Sequence, residues 1–250
     1  MIFYIISIEP LGNYNALLMS NNRRNFIKKM VASSVAIPFS NFLYSSENIE
    51  NRKKYPINFF TKPLDKYGHD FMIDTLKMGG VDGLDLTVRP KGSVLPERVE
   101  IDLPLVAEMA KTSGLLLEMM VSNITSAQTP YARKVLNVAA RNGIKHYRLG
   151  YFRYNEDEKA KQTIDRAKSQ IHSLIDLNKH YGIQGGYQNH TGNYFGSPLW
   201  DLIGVLDSLS SHWMSSQFDI YHAYSEGYKS WLVTLEMIAT KIGSFFSSSK

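Results

Sequence analysis

Residues 70–89, DFMIDTLKMGGVDGLDLTVR, decide the fold. The first part, 70–78, has a helical period, and Gly79-Gly80 ends it. The second part, 81–88, is a β-rich run, and Arg89 stands just past it. Helix, glycine stop, strand and a polar residue at the strand's C-terminal end make one unit.

The same rhythm extends outward in both directions. Upstream, residues 57–60 (INFF) read as the first strand, so 81–88 is the second. Downstream, 90–104 reads as a long loop and 105–112 as a helix ending at Gly114. Then follow a strand at 115–121, a helix at 127–141 closed by Asn142-Gly143, and a strand at 144–149. A long amphipathic helix at 158–180 ends at Gly182, before a fifth strand at 183–189. A helix at 198–209, a sixth strand at 217–222 and a last helix at 227–239 complete the series. Residues 240–250 begin a seventh strand at most and run into serines.

Strict alternation implies a parallel sheet, because each crossover is a helix. No G-x-G-x-x-G follows the first strand and no phosphate loop is present, which argues against an open dinucleotide-binding sheet. Polar residues instead follow strand after strand: Lys62, Arg89, Asn123, Arg148, Gln188–His190 and Asp219. That ring of strand ends predicts an α/β fold of the TIM (β/α)8-barrel type. About six of the eight βα units are read, so the barrel is expected to be C-terminally truncated, with its first and sixth strands as open edges.

The chain has 250 residues, enough for one domain with a tail. It has no cysteine, which excludes disulfides, thiolate metal sites and a cysteine nucleophile. The net charge of +5 is concentrated early: residues 1–46 hold Arg23, Arg24, Lys28 and Lys29 against Glu9 alone. The remainder is nearly balanced and shows no Lys/Arg stripe, so no nucleic-acid partner is expected. Asn22-Arg23-Arg24-Asn25-Phe26-Ile27-Lys28-Lys29 precedes an uncharged stretch at 30–46 and resembles a twin-arginine export signal. That stretch is too interrupted to span a bilayer, so a periplasmic or exported protein without a stable membrane anchor is expected. The alternative is a short amphipathic helix with a basic end. A start at Met19 gives the leader its usual form. The expected division is thus an N-terminal extension at 1–54 and an incomplete barrel at 55–250.

Several segments carry a family resemblance. They are 83–90 (GLDLTVRP), 95–98 (LPER), 102–104 (DLP), 147–150 (YRLG), 187–192 (YQNHTG) and 218–223 (FDIYHA). Over residues 55–239 the chain resembles the sugar phosphate isomerase/epimerase family, the xylose isomerase-like TIM barrels. It looks like an exported, Bacteroidetes-type branch whose members carry twin-arginine leaders. The resemblance implies a divalent metal ion (Mn, Mg, Co or Zn) held by four ligands at the ends of strands five to eight. Gln188 stands where the family's strand-five glutamate is expected, and Asp219 where its strand-six aspartate is expected. The last two ligands have no counterpart. Gly92-Ser93-Val94 replaces a related Gly-His-Val loop.

Gln188 and Asp219 are therefore the candidate metal ligands, with a loop cap or helix-entry residue as the other reading of Asp219. Gln188 brings no charge and cannot serve as a general base. His190 and His222 are the candidate acid–base residues, since neutral imidazoles can be ligands or bases. Arg89, Arg148, Asn189 and His222 are the candidate contacts to a sugar. Glu118 reads as structural. His69, His146, His172, His180 and His212 read as surface or local structure. Tyr151, Tyr154 and Tyr194 could stack on a sugar ring, but tyrosine is too common here to signal anything. These residues point to metal-assisted proton transfer on a sugar or keto-sugar. A non-catalytic carbohydrate-binding protein, an inactive fragment and an apurinic endonuclease-like nuclease are the competing functions. The oligomeric state is left open.

Overall fold

The computed structural model describes residues 4–7 and 55–247. The expected leader at 22–46 lies outside the described residues. Seven strands run parallel: β2 (Ile57–Phe60), β3 (Gly83–Val88), β4 (Leu116–Ser122), β5 (His146–Arg148), β6 (Gln184–Gln188), β7 (Met214–Asp219) and β8 (Ile242–Ser247). They curl in chain order. An additional strand, β1 (Tyr4–Ser7), pairs antiparallel with both β2 and β8 and completes a closed ring. Crossover helices make the parallel pairing possible. They are α1 (His69–Met78), α2 (Val99–Thr112), α3 (Ala132–Arg141), α4 (Ala160–Ser173), α5 (Ile175–Tyr181), α6 (Trp200–Leu206), α7 (Ile220–Gly227) and α8 (Trp231–Ile238).

The expected unit count falls one strand short. β8 hides in a glycine- and serine-rich run, yet Gly243 is what its register demands. A Cβ there would lie 2.4 Å from Ser215 Oγ of the neighbouring strand. The open edges expected on the first and sixth strands are also covered: β7 pairs with β8, and β2 with β1. Residues 4–7, which precede Met19, thus have a structural use.

The loop expected at 90–104 is largely ordered. A 3-10 turn at Pro96–Arg98 leads into α2, which contains Pro104. The lost N–H of Pro104 falls within the helix's second turn, where Arg98 and Asp102 are joined by two hydrogen bonds of 2.8 Å. The long helix expected at 158–180 breaks at Leu174 into α4 and α5. It still ends at Gly182, whose φ of 63° is the left-handed stop that glycine takes easily. The strand expected at 217–222 ends at Asp219, and a helix starts at Ile220.

Side chains in β3 alternate as the pleat requires. Leu84, Leu86 and Val88 join the main core between sheet and helices. Gly83, Asp85 and Thr87 turn the other way, into the lumen. There Phe60, Met119, Val121 and Phe246 form a separate apolar cluster. Both faces are buried, so every residue of β3 is buried whatever its polarity. Lower in the lumen, His146, Gln184, Ser215, Gln217 and Ser244 surround a small cavity. His146 thus takes the local-structure reading: its Nδ1 lies 3.0 Å from Gln184 Oε1. Glu118 leaves the lumen altogether and pairs with Lys145 at 2.5 Å.

Candidate functional site

The C-terminal ends of the parallel strands converge on one buried polar network. Arg148 closes β5, Gln188 closes β6 and Asp219 closes β7, so strand geometry alone brings three distant residues together. Gln188 Oε1 accepts from Arg148 Nη1 and from the Tyr151 hydroxyl, both at 2.5 Å. Gln188 Nε2 donates to Asp219 Oδ2 at 2.9 Å. This network fixes the amide's orientation, because the opposite one would set N–H against guanidinium and oxygen against carboxylate.

Asp219 is also the N-cap of α7: its Oδ1 accepts from His222 N at 3.1 Å. This is the helix-entry reading of the residue. His222 consequently sits in the first turn of α7 rather than on a strand. Asn189 holds the backbone of Asp219 from both sides. Its Nδ2 donates to Asp219 O at 2.9 Å, and its Oδ1 accepts from Asp219 N at 2.7 Å. Both ends of the Asn189 side-chain amide are thus engaged by the Asp219 backbone.

His190 and His222 face each other with ring centres 4.0 Å apart. Burial, then the neighbouring His190, pushes His222 down to about 4, so it is neutral near pH 7. Its 3.8 Å approach to Asp219 is thus a dipolar contact rather than an ion pair. Burial lowers His190 as well. His190 Nδ1 meets Thr191 O at 2.9 Å, so it carries the proton and leaves Nε2 as the lone-pair nitrogen. Glu226 of α7 holds this loop by accepting from the Thr191 hydroxyl and, at 3.0 Å, from Gly192 N.

Arg89 and Arg148 lie over the Phe60 ring, at 5.8 and 5.1 Å from its centre. Six of the seven expected site residues thus gather around the C-terminal ends of the strands, and Asn189 clamps the backbone of Asp219 beside them. Tyr151 and Tyr194, set aside in the sequence because tyrosine is abundant, join this cluster. Tyr151 lies 5.4 Å from the His190 ring and 5.0 Å from Tyr194, forming an aromatic wall. Position just past β5 and β6 was the available signal; tyrosine abundance obscured it. In the altered loop, Ser93 donates to Asp65 Oδ1 at 2.8 Å.

The expected metal set does not fit. Gln188 turns its nitrogen toward Asp219, and its oxygen is engaged by a guanidinium, itself a cation. Among the described residues no group of three or more His, Asp or Glu side chains is placed to hold a metal ion. The positive charge against Gln188 Oε1 is the Arg148 guanidinium.

The comparisons agree with this architecture. Residues 124–245 match the family described as Xylose isomerase-like TIM barrel. The match spans slightly less than half of the chain, and the closed ring of strands described above is consistent with that fold. A probable 3-DHS dehydratase, AsbF, from Bacillus anthracis superposes with a TM-score of 0.58 at 11% identity, covering 73% of this chain and 69% of that one. The 3-keto-D-glucoside 4-epimerase YcjR from E. coli gives 0.58 at 12% identity, covering 74% and 75%. A D-allulose 3-epimerase from Methylomonas sp., in complex with D-allulose, gives 0.55 at 14% identity, covering 71% and 64%. No curated protein sequence matches the chain.

Proposed function

We propose that the barrel mouth binds a sugar or keto-sugar and acts on it as an isomerase or epimerase, with Arg148 in place of a metal ion. The observation that carries this reading is the Arg148–Gln188–Asp219 chain beside two neutral histidines. Two buried groups next to it, Arg148 Nε and His222 Nδ1, have no hydrogen-bond partner. Such groups are normally satisfied, and a polyhydroxylated ligand satisfies them. Tyr151 and Tyr194 offer ring faces to the sugar's apolar side.

The chemistry follows from these positions. Arg148 Nε donates to the carbonyl oxygen of a keto-sugar. The adjacent carbon gives its proton to His190 Nε2, and the electron pair moves to that oxygen, where the guanidinium stabilises it. Return of the proton to the former carbonyl carbon, with the adjacent hydroxyl proton passing to the enolate oxygen, moves the carbonyl; delivery to the opposite face by a second proton carrier inverts the centre. The fold of the epimerases it superposes on supports this substrate class.

The test is incubation with D-fructose, D-tagatose or D-allulose in D2O with a chelator present. Deuterium entering the ketose beside its carbonyl, seen by NMR, is expected. Binding without exchange favours the second reading, a carbohydrate-binding protein without turnover. One observation favours that reading: no carboxylate stands at position 188.

A further inference from the structure

Asp85 has no assigned role. It stands on the lumen face of β3, level with Phe60 of β2 and Met119 of β4. It is wholly buried, and neither carboxyl oxygen has a hydrogen-bond partner. Its backbone is conventional, since its carbonyl accepts from Thr61 N at 3.1 Å. The neighbouring Phe60 ring carries both guanidiniums, Arg148 at 5.1 Å and Arg89 at 5.8 Å from its centre. Both act on the Asp85 carboxyl through space, yet neither bonds to it.

Carboxyls kept for architecture are hydrogen-bonded when buried, and a bare one costs stability. Asp85 is bare beside Arg148, whose Nε is also bare and buried. The two groups differ in kind. Arg148 Nε is only a donor, while a carboxylate is only an acceptor. A carbonyl oxygen suits the first and a hydroxyl the second. An α-hydroxyketone presents both on adjacent carbons.

We infer that Asp85 is a specificity-determining residue that accepts the hydroxyl next to the carbonyl held by Arg148. The inference rests on the sugar-binding reading above and narrows it to neutral α-hydroxyketones. A carboxylate in place of that hydroxyl would face Asp85 with like charge once Asp85 ionises, so sugar acids are disfavoured above about pH 7.

The experiment is calorimetric titration of the full chain with D-fructose, D-tagatose and D-allulose. The 1-deoxy and 3-deoxy forms of the ketose that binds are then titrated. Wild type should lose about tenfold or more in affinity for one of the two deoxy forms. Asp85→Leu should bind the parent ketose about as weakly as that deoxy form and no longer tell them apart. Asp85→Asn, which keeps the shape and one acceptor, serves if the leucine variant does not fold, and should narrow the same discrimination. Parent-ketose affinity and deoxy discrimination unchanged in a folded Asp85 variant overturn the inference while leaving sugar binding intact. Wild type binding none of the three ketoses overturns the sugar reading, and this inference with it.

Discussion

Replacing Asp85 by asparagine tests the physics of the lumen without any ligand. Burial pushes the Asp85 carboxyl from 3.8 up to about 7, against the opposing pull of Arg148 and Arg89. A rise of about three units corresponds to about 4 kcal/mol of stability that depends on its protonation. The folded state holds this proton more tightly than the unfolded chain. The contribution is therefore fully present below about pH 4 and is lost as pH rises through about 7. Roughly 3 kcal/mol of it falls between pH 5 and pH 9. His222, depressed by burial, works in the opposite sense, since stability is lost as pH falls from 6.5 toward its value of about 4. Both proteins keep His222, so it cancels in their difference. The asparagine amide, lacking a partner, adds a cost at every pH, which also cancels between two pH values. Urea unfolding at pH 5 and pH 9 should show the variant gaining about 3 kcal/mol on wild type across that interval. A difference that stays flat with pH would refute the placement of a bare carboxyl in the barrel.

Three further outcomes follow from the network. Asn189→Ala removes both clamps on the Asp219 backbone and should cost about 2–3 kcal/mol in urea unfolding, because it strands a buried N–H and C=O. Gln188→Glu sets a second carboxylate beside Asp219. Titration with MnCl2 should then show a stoichiometric binding site that wild type lacks. Replacing Arg23 and Arg24 together by lysine should keep the chain in the cytoplasm, if 22–46 is the export signal; periplasmic fractionation reads this directly.

The barrel was legible because its signal is repeated. Helix, glycine stop, strand and polar strand end recur along the chain, and any one unit predicts the next. The parts that were not legible share a cause: a partner far away in sequence. β8 reads as a serine tail until Ser215, on the adjacent strand, shows why Gly243 must lack a side chain. Pro104 reads as loop, although α2 absorbs it. Asp219 and His222 were found, but the D-x-x-H spacing is that of a helix cap and its third residue, not of a strand. The resemblance places Gln188 as a metal ligand, but sequence does not say which way its amide points. That is settled by Arg148, forty residues away. Asp85 follows the alternation of β3, but a polar residue on alternate positions does not tell from sequence that its side of the strand is buried and offers it no hydrogen-bond partner.

Arg148→Met removes the guanidinium while keeping most of the side chain's bulk, and it addresses the central claim most directly. Ketose binding by wild type should be equal in EDTA and in MnCl2, and should fall by about tenfold or more in the variant under both conditions. Binding that appears only with added metal, or that survives the loss of Arg148, would contradict the account.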